Sequence, residues 1–311
     1  MALLVGKPRI KTFTENRQEA GLFRSLDSTV HLNTEKKSGK THAGVKRRYS
    51  RHNCSSGLKY HFMFGQHMRF VDMHVHLSDY GDEEPLLTYS HASETLLVAA
   101  GIDESTSESS LRMAASDPGS VKAFVGVHPS EADSATLEWL PKAAQIASGI
   151  GEVGLDPKYS GIGPGTAQMR TYQEQLEIAE RFGLPVQVHT RDAEVSCLDV
   201  LSTLKLPSVL LHWFEGESLA SLTASRGYYI SFGPALLYSK KVRRIAESYP
   251  DELTLTESDG PVSFKAIGGA GGPYLIPSVV NGLAEAKGRS FEETRLSVSR
   301  NADRFLSARK G

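Results

Sequence analysis

Phe70-Val71-Asp72-Met73-His74-Val75-His76-Leu77 is the stretch from which the architecture is read. Side chains alternate sides along a strand, so Val71, Met73, Val75 and Leu77 make one apolar face while Phe70, Asp72, His74 and His76 make the other. An apolar back suited to helices and a front carrying two imidazoles is what a strand of a barrel with chemistry at its mouth looks like. From here to the C-terminus, short β-branched or apolar runs alternate with longer segments of helical pattern, as in successive βα units of a parallel sheet.

Eight such runs are expected near Phe70–Leu77, Thr95–Gly101, Val121–His128, Gly151–Asp156, Pro185–Thr190, Ser208–Trp213, Tyr228–Gly233 and Leu253–Asp259. The clearest intervening helix is expected over Gly165–Phe182, where Met169, Tyr172, Leu176 and Ala179 recur at helical spacing and Gly183-Leu184-Pro185 ends the pattern. Eight strands in residues 68–311 predict an α/β fold of the (β/α)8 TIM barrel type. The run Gly268-Gly269-Ala270-Gly271-Gly272 reads as a flexible loop after the eighth strand. It follows no strand and lacks the spacing of a dinucleotide fingerprint.

The polar residues fall where barrel enzymes keep their chemistry. Glu152, Gly154 and Asp156 oppose Val153 and Leu155, Gln187 and His189 oppose Val186 and Val188, Gly126 and His128 oppose Val125 and Val127, and the sixth run ends on His212. The eighth is irregular, since Leu253 and Leu255 share parity with Glu257 and Asp259, and a bend or bulge is expected there. Of the six histidines after residue 67, only His91 lies away from the C-terminal end of an expected strand. Burying several imidazoles and carboxylates around one cavity costs several kcal/mol unless they are compensated. Divalent cations compensate it by coordination, and His/carboxylate clusters are characteristic ligand sets.

The remaining composition narrows the class. The 311 residues are 40% hydrophobic and 23% charged, as in soluble globular chains, and a formal net charge of −1 gives no sign of a general polyanion binder. Residues 1–67 differ: they carry 13 Lys/Arg against 4 Asp/Glu, leaving 22 against 32 in the rest. This segment has no sustained period and is expected to be a solvated, disordered basic extension, or to lie upstream of a true start at Met68. The alternative is a basic arm around Lys46-Arg47-Arg48 that holds a polyanion or directs import. Cys54 and Cys197 are too few for a disulfide framework or a Cys-rich zinc site. With no apolar run near the roughly 18 residues a spanning helix needs, the chain is expected to be cytoplasmic, with no membrane and no obligate protein partner.

From Met68 onward the chain resembles the TatD-related metal-dependent deoxyribonucleases of the amidohydrolase-like barrel superfamily. The resemblance is carried by Asp72-Met73-His74-Val75-His76, Gly126-Val127-His128-Pro129, Gly151-Glu152-Val153-Gly154-Leu155-Asp156 and Val188-His189-Thr190-Arg191-Asp192-Ala193. It continues through His212-Trp213-Phe214-Glu215-Gly216, Glu257-Ser258-Asp259-Gly260-Pro261 and Asn301-Ala302-Asp303-Arg304-Phe305. It implies metal ligands at His74, His76, Glu152, His189, His212 and Asp259. The strand-one histidines and Asp259 would hold one ion, His189 and His212 the other, and Glu152 would bridge them. Two divalent ions (Zn, Mn, Co or Mg), about 3.5–4 Å apart, lower the pKa of a shared water and clamp the oxygens of an in-line displacement. The resemblance further implies that Asp259 orients or deprotonates that water, with Glu152 and His128 also in the catalytic set. His128, Arg191 and Lys158 would meet a substrate phosphate, Arg191 alternatively forming a structural salt bridge. Trp213 replaces a usual Cys, Ser258 a usual Thr, and the Gly-rich run replaces a basic element, so a substrate-contacting wall differs. The expected function is cleavage of short or single-stranded DNA. The alternatives are an amide or ester hydrolase, or an aminoacyl-tRNA deacylase, on the same site, and lastly an inactive barrel used for binding.

Overall fold

The computed structural model describes residues 69–308. The expectations for residues 1–67 and for a start at Met68 lie outside the described residues. Strands and helices alternate: β1 (Phe70–Val75), α1 (Glu84–Ser93), β2 (Thr95–Ala100), α2 (Glu104–Ser116), β3 (Val121–Val125), α3 (Leu140–Ala144), β4 (Gly149–Gly154) and α4 (Ala167–Phe182). They continue as β5 (Val186–His189), α5 (Glu194–Leu201), β6 (Val209–Leu211), α6 (Ala220–Ser225), β7 (Tyr229–Phe232), α7 (Lys240–Ser248) and β8 (Thr254–Thr256). A small antiparallel hairpin of β9 (Ser263–Phe264) and β10 (Gly269–Ala270) precedes α8 (Ile276–Lys287) and α9 (Phe291–Ser307).

The eight main strands pair in sequence order, each parallel to the next. Past the last ladder pair, hydrogen bonds bring β8 and its extension back to β1. Thr256 Oγ1 donates to the Val71 carbonyl at 2.6 Å, the Asp259 amide to the His74 carbonyl at 2.9 Å, and the His76 amide to the Gly260 carbonyl at 2.8 Å. The Asp72 carboxylate accepts the Ser258 amide at 2.8 Å across the same seam. This is the expected (β/α)8 barrel.

Outward-facing strand residues are the apolar ones. Val71, Met73, Ile150, Val153, Val186, Val188, Leu211 and Ile230 are buried in one cluster with Tyr172, Leu176, Leu198, Ile245 and Phe305 from the helices. A smaller cluster joins Val75 and Leu77 to Leu86, Leu97 and Met113 under α1 and α2. Helix ends follow local chemistry. Asp103 and Thr106 form a capping box on α2, Ser290 and Glu293 one on α9, and α4 starts at a Thr166 cap and stops at Gly183 in the left-handed region.

The observed strands stop short of several expected C-terminal ends. In β3, β6 and β8 the ladder ends at Val125, Leu211 and Thr256, and the residues that follow leave the pairing while remaining buried. Beyond β6 and β8 the departure is marked by positive φ at Trp213 and Asp259 (41° and 50°), as at Asp192 beyond β5 (54°), so the irregularity expected in the eighth run is a bend at Asp259. The Gly-rich run is also more ordered than a plain loop. Gly268 supplies the left-handed turn (φ 71°) that folds Gly269–Ala270 back onto Ser263–Phe264.

Gly154 is where close approach requires glycine. Its φ is 150°, and a Cβ there would strike the His189 carbonyl oxygen on β5. Gly154→Ala is expected to cost about 3 kcal/mol, a fall in Tm of roughly 6–12 °C, whereas Gly163→Ala, with nothing within 4 Å of its Cβ, should stay within about 0.5 kcal/mol of the parent. Thermal unfolding by circular dichroism measures both.

Candidate metal centre

The C-terminal ends of β1, β4, β5 and β6 and the bend after β8 deliver His74, His76, Glu152, His189, His212 and Asp259 to one place, nearly all of them buried. Glu152 divides the set. Its Oε2 lies 3.4 Å from His74 Nε2 and 3.5 Å from His76 Nε2, and Asp259 Oδ1 completes this group at 3.4 Å from His76 and 3.7 Å from His74. The other oxygen, Oε1, lies 2.7 Å from both His189 Nδ1 and His212 Nε2, themselves 3.2 Å apart. His74 and His212 stack face to face across the divide, with ring centroids 4.0 Å apart.

Hydrogen bonds on the outer ring nitrogens assign the protons. His74 Nδ1 donates to Gln187 Oε1 at 2.9 Å, an oxygen whose role is fixed because Gln187 Nε2 donates to the Met73 carbonyl. His76 Nδ1 donates to the Ala100 carbonyl at 3.2 Å, and His189 Nε2 to Asp156 Oδ2 at 2.8 Å. Each of these imidazoles therefore turns a lone pair inward, and His74 Nε2 and His76 Nε2 face each other at 3.3 Å. Two lone pairs at that distance repel unless a cation lies between them and the carboxylates.

The spacing of the first group fits such a cation. A tetrahedral site with donor bonds of about 2.0–2.2 Å has donor–donor edges of about 3.3–3.6 Å, matching the 3.3–3.7 Å measured among His74, His76, Glu152 and Asp259. The second group is tighter, at charge-assisted hydrogen-bond length, so protons and a metal compete for the same lone pairs there. Without a cation a proton takes the inner nitrogen of His76: burial depresses it, but its hydrogen bond to Asp259 and the charges of Glu152 and Asp259 outweigh this and lift it to about 9. Burial would raise Glu152, yet the surrounding imidazoles hold it well below the usual carboxylate range.

His128 differs from its neighbours. Its Nδ1 lies 2.8 Å from the Ser130 hydroxyl and accepts the Ser130 amide at 3.1 Å; with that amide as donor the ring hydrogen is on Nε2, 3.6 Å from Glu152 Oε1. It presents a donor to the site, not a lone pair, and burial holds it down at about 4, neutral at physiological pH. Arg191 takes up the salt-bridge arrangement: its Nη2 lies 2.5 Å from Asp156 Oδ2, the oxygen that also holds His189, while the guanidinium side chain remains 42% exposed. Lys158 is exposed at the rim, with its amide on Asp156 Oδ1 at 2.9 Å.

Three supporting residues escaped sequence reasoning as site members. Gln187 and Asp156 carried a signal, since both share strand parity with a ligand candidate. Glu257 did not, because the bend after β8 breaks the alternation that would have placed it. Buried Glu257 accepts the Trp213 amide at 2.8 Å and the Ser231 hydroxyl at 2.5 Å, and its Oε2 lies 3.7 Å from His212 Nδ1, which has no hydrogen-bond partner.

A parallel barrel whose C-terminal mouth gathers His and carboxylate donors defines a metal-dependent hydrolase. Residues 71–307 match the TatD related DNase family, and the chain belongs to it. A human relative named Deoxyribonuclease TATDN3 is 29% identical over 253 residues, spanning 75% of this chain and 92% of its own length. A protein of Musicola paradisiaca named 3'-5' ssDNA/RNA exonuclease TatD is 29% identical over 235 residues, spanning 70% and 88%. The crystal structure of YJJV, a TatD homologue from Escherichia coli k12, shares the fold with a TM-score of 0.68 at 24% identity, over 76% of this chain and 98% of its own. No described helix is long and apolar enough to cross a membrane.

Gln187→Leu removes the acceptor that fixes the His74 tautomer and is expected to weaken divalent-cation affinity by about 10–100-fold. His128→Ala should leave that affinity within about two-fold, since a hydrogen-bond donor is not a ligand. Calorimetric titration with Mn²⁺ distinguishes the two.

Proposed function

We propose that this chain is a deoxyribonuclease that hydrolyses phosphodiester bonds of single-stranded or end-frayed DNA, using two divalent ions of the Zn, Mn, Co or Mg kind. His74, His76 and Asp259 would hold one ion and His189 and His212 the other, with Glu152 available to both. The observation that carries this reading is the splitting of the Glu152 carboxylate, one oxygen on each histidine group. The family and the names of its relatives support a phosphodiester of nucleic acid as the substrate class.

Bound there, the ions would supply an acidified water and positive charge for the phosphoryl oxygens. The chain's own residues do the rest. Asp259 accepts the proton of the attacking water. Burial pushes its carboxyl up, but the His76 hydrogen bond and the neighbouring imidazoles keep it below the usual range and ionised. His128 Nε2–H, aimed past Glu152, donates to a phosphoryl or leaving oxygen without carrying charge of its own. Arg191, anchored on Asp156 with its outer edge exposed, offers a second donor pair to the phosphate, and Lys158 adds positive charge at the same rim. Residues 68–311 carry 22 Lys/Arg against 32 Asp/Glu, which disfavours broad duplex binding and favours a short strand held at the site.

The test is cleavage of a 3'-labelled single-stranded oligonucleotide by Mn²⁺-loaded protein. EDTA should abolish it, Glu152→Gln should lower kcat at least about 100-fold, and His128→Ala should lower it roughly 10²–10³-fold. Loaded protein that leaves DNA intact while hydrolysing simple esters or aminoacyl-tRNA would replace this reading with an ester hydrolase on the same centre.

A further inference from the structure

The loop after β4 places one aromatic ring between the groups that meet the phosphate. Tyr159 packs edge-to-face with His128, their ring centroids 5.5 Å apart, and the Arg191 guanidinium carbon lies 5.5 Å from the Tyr159 ring centre. Arg191 is itself tied to Asp156, the residue that holds His189. The ring is thus linked through two contacts to the cluster, yet it remains 47% exposed. Its sequence neighbour Lys158 is exposed as well.

We propose that Tyr159 is the base-stacking platform of this site, a positioning and specificity residue that receives an unpaired nucleobase next to the phosphate held by His128 and Arg191. The proposal rests on the nucleic-acid reading above and deepens it. Cations interleaved with an aromatic ring are the pattern by which proteins track a single strand, the cations taking the backbone and the ring taking a base face. A base engaged in this way must be out of its duplex stack, so the same geometry selects single strands and frayed ends over intact duplex. It also separates a nucleic acid from a base-free phosphodiester or a lactone, which would gain nothing from the ring.

Trp213, in the loop after β6, is a poorer platform. Trp213 packs on Phe264 of the hairpin, with centroids 5.2 Å apart, and commits its indole N–H to Glu215 at 3.1 Å. The Glu215 carboxylate beside that ring is paired with Lys241, whereas the Tyr159 ring lies directly against the partly exposed Arg191 guanidinium.

The test compares substrates and variants in one cycle, using full-length Mn²⁺-loaded protein. A single-stranded oligonucleotide and a set of copies, each with an abasic residue at one position near the cleaved bond, are assayed in the steady state. The parent protein should show one position at which loss of the base raises KM roughly 5- to 100-fold with kcat little changed. Tyr159→Leu should raise KM on the intact oligonucleotide by a similar factor and lose the penalty at that position, and Tyr159→Phe should restore both. If the parent cleaves DNA but treats every abasic copy as it treats the intact strand, or if Tyr159→Leu keeps the discrimination, the platform is refuted while the nuclease reading stands. If the parent cleaves no oligonucleotide yet hydrolyses bis(p-nitrophenyl) phosphate, both are refuted. Melting curves confirm that each variant is folded.

Discussion

Lone pairs that face one another in a buried space govern this molecule. At the barrel mouth, imidazole nitrogens and carboxylate oxygens stand 2.7–3.7 Å apart, and the outer nitrogens of His74, His76 and His189 are already committed to acceptors. Such an arrangement is stable only with positive charge among the donors, whether protons or divalent cations. Gln187, the Ala100 carbonyl and Asp156 therefore matter as much as the ligand candidates, because they decide which nitrogen of each ring faces inward. His128 shows the converse: one amide, from Ser130, turns an otherwise similar histidine into a neutral donor.

The barrel brings these groups together by ending its ladders early. Beyond Thr256 the chain leaves β8, bends at Asp259 and returns to β1 through the Asp259 amide and the Gly260 carbonyl, which places the Asp259 carboxylate beside His74 and His76. Similar turns follow His189 and His212, at Asp192 and Trp213. Non-glycine residues in the left-handed region cost of order 1–3 kcal/mol each, and three of the four among the described residues stand beyond β5, β6 and β8, where the candidate site needs side chains re-aimed. The apolar cluster between strands and helices holds these bends in place. Asp72 extends the polar lining below the cluster, where burial pushes its carboxyl up to about 8 against the Ser258 hydrogen bonds.

Period-two alternation made most of this legible. Val71, Met73, Val75 and Leu77 against Asp72, His74 and His76 gave the strand, its two faces and two members of the candidate cluster at once, and the same parity put Glu152 and His189 on the inner side. Gly183 after an apolar helical stripe located the end of α4. Alternation failed where the backbone departs from a strand. The end of β8 at Thr256 hid Glu257, and the ends of β3, β6 and β8 lie short of the residues that continue their pattern, because side-chain parity outlasts hydrogen-bond pairing. The hairpin within the Gly-rich run depends on a glycine turn followed by cross-strand pairing, which carries no hydrophobic signal. Which nitrogen each histidine turns inward, and the seat of Arg191 on Asp156, follow from contacts of His74 with Gln187 on β5, of His76 with Ala100 on β2, and of His189 and Arg191 with Asp156 after β4, which no spacing along the chain encodes.

The central claim is that the Glu152 carboxylate is shared between two cation sites. Crystals of the protein grown with excess Mn²⁺ and measured at the manganese absorption edge test it directly. The account predicts two anomalous peaks flanking Glu152, one bounded by His74, His76 and Asp259 and the other by His189 and His212. A site with no peak at saturating Mn²⁺, and Glu152 bound only to protonated imidazoles, would contradict it.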